Sequence, residues 1–280
     1  MTAQLSNDIF NIEIGNNKNY RIDLPQAIDK DCAFILGVRK SGSTLLNKII
    51  LDLCYHNRVP TFSIADRAFE QNLLVKDWQN CSELKQVVRD GIFYIGFRNF
   101  PTFIAEDELF QQRKKIFLVR DPRDAIVSEY FSVAYSHSVP KASESNEGGA
   151  REDILRRRDE SKFQDVDEYV LKNAAHMNRT IMDYANHLDD NDPNLKLYRY
   201  EDVITQKRPW IKEMAQFLEL DLPESLLEKL LERHDVIPNK ETSNKFIRKA
   251  LPGDHKDKLQ LETIEQINLI FSDTLNRFYS

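Results

Sequence analysis

Short apolar runs alternate along the chain with segments whose apolar residues recur at helical spacing. Residues 8–24 alternate weakly around Gly15-Asn16-Asn17 and predict a β-hairpin that precedes the main fold. Further apolar runs predict strands at residues 32–37, 60–64, 92–97, 115–119 and 195–200. Because parallel strands that alternate with helices are joined by crossover connections, this order predicts a three-layer α/β/α fold with a mainly parallel central sheet.

The helical periods place helices between these strands and after them. They predict helices at residues 43–55, 122–135, 165–188, 208–219, 224–233 and 259–278. Residues 138–163 have few large apolar side chains, and we interpret them as a mobile loop or lid within a single domain of residues 1–280. Acids flank Arg156-Arg157-Arg158 in that segment, so we interpret these arginines as a solvated charged face.

The composition argues against several classes of protein. The chain of 280 residues is 41% hydrophobic, which is enough to bury one large core. Its net charge of −6 gives no global basic field for nucleic acid or anionic membranes, so we expect any anion site to be local. No apolar stretch approaches about 18 residues and the N-terminus lacks signal-peptide features, so we expect a soluble cytoplasmic protein. Cys32, Cys54 and Cys81 predict neither a disulfide framework nor a zinc site, and the oligomeric state stays open.

Residues 37–44, GVRKSGST, connect the first predicted strand of the sheet to the first predicted helix. Two glycines five positions apart and a closing Thr44 are typical of a phosphate-binding loop. Ser43 stands where nucleotide triphosphatases have the lysine that contacts the β- and γ-phosphates, and Lys40 comes three residues earlier. The loop therefore predicts an anion site that differs from that of a triphosphatase.

A second cationic element follows the strand at 115–119. Asp121 is placed to cap a helix and Pro122 to begin it. Arg120 occupies the strand end at which a Mg²⁺-binding carboxylate would be expected, so the site is suited to anions without a metal. Since the strand ends of an open parallel sheet share one crevice, we expect Arg120 to meet the cations of the loop there, together with Arg248-Lys249.

Three segments resemble motifs of the sulfotransferases that use 3′-phosphoadenosine 5′-phosphosulfate (PAPS). The loop is similar to the family's P-K-[ST]-G-[TS]-[TS], with Lys40 on the lysine. Residues 120–128, RDPRDAIVS, resemble R-[ND]-P-[KR]-D-x-x-x-S, in which the first Arg and the last Ser hold the 3′-phosphate. Residues 248–256, RKALPGDHK, are similar to R-K-G-x-x-G-D-x-K, with Ala250 in place of Gly and His255 where Trp is frequent.

This resemblance implies a P-loop-like fold and a set of donor-binding residues. The set is Arg39, Lys40, Ser41, Gly42, Ser43, Thr44, Arg120, Ser128, Tyr200, Arg248, Lys249 and Ala250. Tyr200 belongs to Tyr200-Glu201-Asp202, which resembles an element near the adenine. Lys40 is the implied catalytic residue, because its charge is needed as the leaving phosphate develops. The resemblance implies no metal.

The implied reaction transfers a sulfuryl group from PAPS to a hydroxyl or nitrogen acceptor on a small molecule such as a secondary metabolite, and leaves adenosine 3′,5′-bisphosphate (PAP). Many cytosolic members have a histidine base in a K-T-H-x-P segment, where this chain has Asn99. His137 and Asp66 are therefore the candidate bases, and His137 is slightly preferred. Two alternatives stay open: a P-loop kinase-like nucleotide-binding protein and a catalytically inactive PAPS-binding scaffold.

Overall fold

A parallel five-stranded sheet forms the centre of the computed structural model, which describes residues 7–15, 17–141, 149–235 and 251–280. Its strands are β3 (Ala33–Gly37), β4 (Thr61–Phe62), β5 (Phe93–Phe97), β6 (Lys114–Val119) and β7 (Leu195–Arg199). They lie in the order β4-β5-β3-β6-β7. The predicted hairpin is confirmed as the antiparallel strands β1 (Asp8–Ile14) and β2 (Lys18–Leu24).

Helices connect the strands and cover the sheet. They are α1 (Ser43–His56), α2 (Ile64–Glu70), α3 (Val75–Trp78), α4 (Glu108–Gln112), α5 (Pro122–Phe131), α6 (Ala150–Lys162), α7 (Val166–Ala185), α8 (Tyr200–Val203), α9 (Lys207–Phe217), α10 (Glu224–His234), α11 (Asp254–Lys258), α12 (Leu261–Ile270) and α13 (Ser272–Tyr279). Short 3₁₀ helices lie at Ser82–Val87 and Thr102–Ile104, and a π-helical turn, Ser132–Ser136, extends α5. Within the described ranges, no helix is both long and apolar enough to cross a bilayer.

Both faces of the sheet are buried, which explains its continuous apolar strands. On β3, Phe34 and Leu36 belong to one core with residues of α5 and α7, whereas Ala33 and Ile35 belong to a second core with residues of α1 and α9. Alternate side chains of one strand therefore face opposite layers of helices. The predicted three-layer arrangement is confirmed, and it brings the carboxyl ends of β3, β6 and β7 side by side.

Two predicted elements differ in extent from the observed ones. The strand expected at 60–64 ends at Phe62, because Ser63 already caps α2 and its hydroxyl accepts a hydrogen bond from the Asp66 amide. The single helix expected at 259–278 is divided into α12 and α13 at the fully buried Phe271. Neither difference moves the strand ends that face the site.

The loop expected at residues 138–163 is in part a helix, α6, and residues 142–148 lie outside the described residues. Periodicity missed α6 because polar contacts hold it where an apolar stripe would normally do so. The carbonyl oxygen of Asn72 accepts from the Ala150 amide at 3.2 Å, and its side-chain oxygen accepts from the Arg151 amide at 2.6 Å. The fully buried Asn72 thus satisfies amides at the start of α6.

The interpretation of the three consecutive arginines as a solvated face is wrong for two of them. Arg156 is exposed and pairs with acids of its own helix. Arg157 is only 24% exposed and lies 2.7 Å from Glu129 of α5. Arg158 donates to the carbonyl oxygen of His137. Two arginines therefore face inward and attach α6 to the elements around the site.

Gly42 provides a test of how closely the loop packs. Its φ is +89°, and an added Cβ would lie 2.7 Å from the ring of Tyr200. We expect Gly42→Ala to lower the free energy of unfolding by about 2–4 kcal/mol, because backbone strain and overpacking add together. Urea denaturation measures this loss.

Gly253→Ala is the matched control. Gly253 also has a positive φ, +92°, but no heavy atom of the described residues lies within 4 Å of an added Cβ. We expect a loss of about 1 kcal/mol from backbone strain alone. Equal losses in the two variants would show that contact with Tyr200 does not restrict the loop.

Candidate active site

The loop at residues 37–44 bends sharply into the N-terminus of α1. Lys40 and Gly42 have φ values of +65° and +89°. Gly42 caps α1 without a side-chain hydrogen bond, and the first turn of α1 contains no acidic residue. By contrast, Asp66 and Asp124 lie in the first turns of α2 and α5. The positive end of α1 therefore has no acid of its own, which suits it to bind an anion.

A cavity of about 930 Å³ adjoins this end of α1. It is lined by most of the residues that the sequence predicts for the site, namely Arg39, Lys40, Gly42, Ser43, Thr44, Asp66, Arg120, Ser128, His137 and Tyr200. These residues come from the ends of different strands and from four helices, α1, α2, α5 and α8. The parallel topology therefore brings together the loop, the strand end at Arg120 and both candidate bases.

The remaining predicted residues do not line the described part of the cavity. Ser41 is fully buried, and its hydroxyl donates to the Val38 carbonyl oxygen at 2.7 Å. This hydrogen bond stabilises the loop internally, and Ser41 does not line the cavity. Arg248-Lys249-Ala250 lies outside the described residues. Leu251 and Asp254, which follow it, do line the cavity.

Arg120 is held in a buried position at the end of β6. Its guanidinium lies over the ring of Tyr200, 4.6 Å from the ring centroid, and Nη1 donates to the Lys40 carbonyl oxygen at 3.4 Å. Nη2 lies 3.8 Å from Asp124. The buried Nε makes no hydrogen bond to any residue that the structure describes. A buried donor of this kind calls for a partner, and a bound anion is the partner that matches its charge.

Lys40 lies among several charged groups. Burial lowers the pKa of Lys40 to about 8. Glu129 opposes this change by favouring the cation, whereas Arg120 and other nearby guanidinium groups reinforce it. Lys40 is therefore still largely protonated at neutral pH, but its charge is sensitive to its neighbours.

Glu129 was not predicted as a site residue, yet it lines the cavity. Its carboxylate is 7% exposed, and one oxygen, Oε1, is shared by Arg39 and Arg157. The hydroxyl of Tyr169 donates to the same oxygen at 3.4 Å. Burial alone would raise the pKa of Glu129, but Arg39 and Arg157 lower it to about 2. The sequence does contain a signal for Glu129: it is an acid one turn after Ala125, on the buried face of α5.

The two candidate bases have different surroundings. His137 follows the π-helical turn, and its Nδ1 lies 2.8 Å from the Ser138 carbonyl oxygen. Burial lowers the pKa of His137 below its usual value. Asp66 pairs with Arg98 at 2.7 Å and accepts from the Ser63 hydroxyl at 2.9 Å. The imidazole is thus kept neutral with Nε2 available, while the carboxylate of Asp66 is already engaged by a cation.

Apolar side chains from helices other than α1 line part of the cavity. Its walls come from α2, α3, the segment between them, the π-helical turn and α6, and include Phe69, Leu73, Trp78, Val133 and Ile154. We call this part the acceptor compartment. His137 lies at its edge, where its ring is 6.2 Å from the ring of Phe69. No cluster of acids, histidines and cysteines within the described residues has a metal-binding arrangement.

Comparison with known proteins agrees with this architecture. The family model for the sulfotransferase domain matches residues 30–279. An amine sulfotransferase from Oryctolagus cuniculus is 25% identical over 276 residues, which cover 90% of this chain and 83% of the relative. A solved mouse sulfotransferase complexed with PAP covers 90% of this chain and 86% of its own length, with 14% identity and a TM-score of 0.57. The structural match confirms the predicted fold, and since the family model spans nearly the whole sequence, the chain belongs to the sulfotransferase family.

Proposed function

We propose that the protein transfers the sulfuryl group of PAPS to a hydroxyl or nitrogen on a small molecule. The observation that carries this proposal is the meeting of Lys40, Arg120 and the N-terminus of α1 in one cavity. PAPS carries anionic groups at two separated positions, and these cationic elements are likewise separate. The names of the relatives, an amine sulfotransferase and a sulfotransferase complexed with PAP, support the same donor and reaction.

The residues of the cavity fit such a donor. Arg120 and Ser128 line the same cavity and are suited to hold the 3′-phosphate. A phosphate there would accept a hydrogen bond from the buried Nε of Arg120, which has no hydrogen-bond partner among the described residues. The loop amides, Lys40 and Thr44 are suited to the phosphosulfate at the N-terminus of α1. Tyr200, which stacks on Arg120, lies close enough to the loop to border the nucleoside.

The reaction is an in-line displacement at sulfur. The acceptor oxygen or nitrogen forms a bond to sulfur, and the bond between sulfur and the bridging oxygen breaks with its electron pair on that oxygen. Lys40 stabilises the negative charge that develops there, and the loop amides and Thr44 stabilise the charge on the transferred group. These contacts accelerate the reaction because they are stronger in the transition state than with bound donor.

His137 is the proton acceptor that the geometry favours. Donation from Nδ1–H to the Ser138 carbonyl oxygen fixes the tautomer with the lone pair on Nε2. A lowered pKa keeps the ring neutral near pH 7, as a base must be. Asp66 is the weaker candidate, because proton uptake would break its ion pair with Arg98. The apolar walls of the acceptor compartment favour a small molecule with substantial apolar surface and exclude water from the sulfuryl group.

Binding of PAP tests the donor. We expect PAP to raise the melting temperature without Mg²⁺, because a ligand that binds only the folded state stabilises it by mass action. ADP and ATP should raise it much less, since they lack the 3′-phosphate. Differential scanning fluorimetry with each nucleotide, with and without Mg²⁺, measures the difference. A larger shift with Mg·ATP than with PAP would contradict the proposal and favour the kinase-like alternative.

Substitution of the two cations should give two kinetic signatures. We expect Lys40→Ala to lower kcat by about 10²-fold or more with a smaller change in donor affinity, because its charge is needed mainly in the transition state. Arg120→Ala should mainly weaken PAPS and PAP binding, through loss of a charge-assisted contact. Pre-steady-state turnover measured across a range of PAPS concentrations gives the rate of the chemical step and the donor affinity, and so separates the two. An unchanged chemical step in Lys40→Ala would refute the role of the lysine.

The base can be identified from the acid limb of the pH profile. A base acts only when deprotonated, and the pKa of His137 lies below its usual value of about 6.5. Activity should therefore be level between that pH and about 8, where Lys40 begins to lose its proton, and should fall as pH decreases through the lowered pKa. We expect His137→Gln to lower kcat by about 10²-fold and to abolish the decrease in activity at low pH. Asp66→Asn should keep both the wild-type kcat and that decrease. A normal turnover and acid limb in His137→Gln would eliminate the histidine as the base.

A further inference from the structure

The buried carboxylate of Glu129 contacts both sides of the cavity at once. On one side its Oε1 pairs with Arg39, which belongs to the loop at the N-terminus of α1. On the other side the same oxygen lies 2.7 Å from Arg157, which belongs to α6 and so to the wall of the acceptor compartment. The next residue before Glu129 on α5 is Ser128, which also lines the cavity. One oxygen thus lies between the donor end and the acceptor end.

We propose that Glu129 is a positioning residue that links the donor loop to α6 through this shared carboxylate oxygen. The inference depends on the proposed function in one respect, which is the assignment of the donor to one end of the cavity and of the acceptor to the other. A carboxylate that is 7% exposed and pairs with two guanidinium groups favours this arrangement strongly, because removal of either guanidinium takes away part of the charge that compensates the buried carboxylate. Neither arginine can move far without losing its contact with Glu129.

The attachment of α6 depends on this link. Few of its side chains are apolar, and only Ala150 and Ser161 of the helix are buried. Asn72 holds the first turn, and Arg158 contacts the π-helical turn through the carbonyl oxygen of His137. Of the contacts of Asn72, Arg158 and Arg157, that of Arg157 is the one made with a charged group on α5. Ile154 lies one turn before Arg158, and its side chain lines the acceptor compartment. The contacts that hold α6 therefore also position this side chain.

The same carboxylate acts on Lys40. Among the described residues, the charged and titratable groups near Lys40 include Glu129 from α5, Arg120 from the end of β6, Arg98 from the end of β5, Arg39 from the loop and His137, which follows the π-helical turn. Of these, Glu129 is the group that raises the pKa of Lys40, and the guanidinium groups lower it. Loss of the carboxylate should therefore deprotonate Lys40 at a lower pH.

Glu129→Gln tests the link at the donor end without any acceptor. In the wild-type protein, PAP affinity should begin to fall as pH rises through about 8, where Lys40 loses its proton. The phosphates of PAP are fully ionised in this range, so the change reports on the protein. We expect the onset of this fall to move down by about one pH unit in Glu129→Gln. Calorimetric titration of PAP across the pH range measures the onset.

Arg157→Gln tests the link at the acceptor end, and Arg156→Gln is its matched control on the same helix. Arg156 is 59% exposed, and its ion pairs among the described residues are with Asp153 and Glu160 of α6, whereas Arg157 pairs with Glu129 of α5. We expect amide hydrogen exchange in residues 150–162 to accelerate about tenfold or more in Arg157→Gln and to stay unchanged in Arg156→Gln. With an acceptor in hand, only Arg157→Gln should raise the acceptor KM.

The outcomes separate the link from the donor assignment. If the wild-type protein does not bind PAP, the proposed function fails, while the exchange experiment still tests the link. If PAP binds and the pH onset in Glu129→Gln coincides with that of the wild type, the link to Lys40 is refuted. If Glu129→Gln does not fold, the proposed link is tested by the comparison of Arg157→Gln with Arg156→Gln alone. Equal exchange in that pair refutes the link to α6.

Discussion

The site requires several positive charges to stay close together in one partly buried cavity before any anion is bound. Like charges at short range repel one another, and burial makes each of them more costly. Buried carboxylates relieve this repulsion: Glu129 pairs with Arg39, and Asp124 lies 3.8 Å from Arg120. They reduce the positive charge without removing it, because both acids are shared with other groups. This balance lets the positive groups stay close together in the empty cavity and leaves positive charge for the proposed anionic donor.

Asp124 shows how such a carboxylate also organises the chain. Burial would raise its pKa, but hydrogen bonds from His255 and Gly253 and the charge of Arg120 lower it to about 2. Its oxygens accept from the Gly253 amide at 2.6 Å, the His255 amide at 3.0 Å and His255 Nδ1 at 2.6 Å. These bonds attach the start of α11 to α5 directly after the predicted donor segment at residues 248–250. His255, which departs from the family's usual tryptophan, therefore serves as a hydrogen-bonding partner of an acid.

Features that depend on neighbouring residues in the sequence were predictable, whereas those that depend on tertiary partners were not. Asp121 caps α5 by accepting from the Arg123 amide at 2.9 Å, and this follows from the local Asp-Pro pattern alone. The strand ends were predictable because the apolar runs are short and the crossover rule fixes their direction. The helix α6 was missed because Asn72 and Glu129, which hold it, are distant in sequence. The role of Glu129 was missed because no sequence pattern shows which cations approach a buried acid.

The position of His137, the proposed base, also depends on tertiary partners. Asn99, after the end of β5, occupies the place of the family's histidine, whereas His137 comes from the segment that follows α5 and its π-helical turn. Its amide donates to the Ser132 carbonyl oxygen at 2.7 Å, a bond that spans one residue more than an α-helical bond and closes the π-helical turn. The extra residue rotates the end of α5 relative to a regular helix and brings the imidazole to the cavity edge. Arg158 then holds the His137 carbonyl oxygen from α6. The geometry of this proposed base is therefore tied to α6, so a change in α6 that suits another acceptor would also shift the group proposed to take its proton.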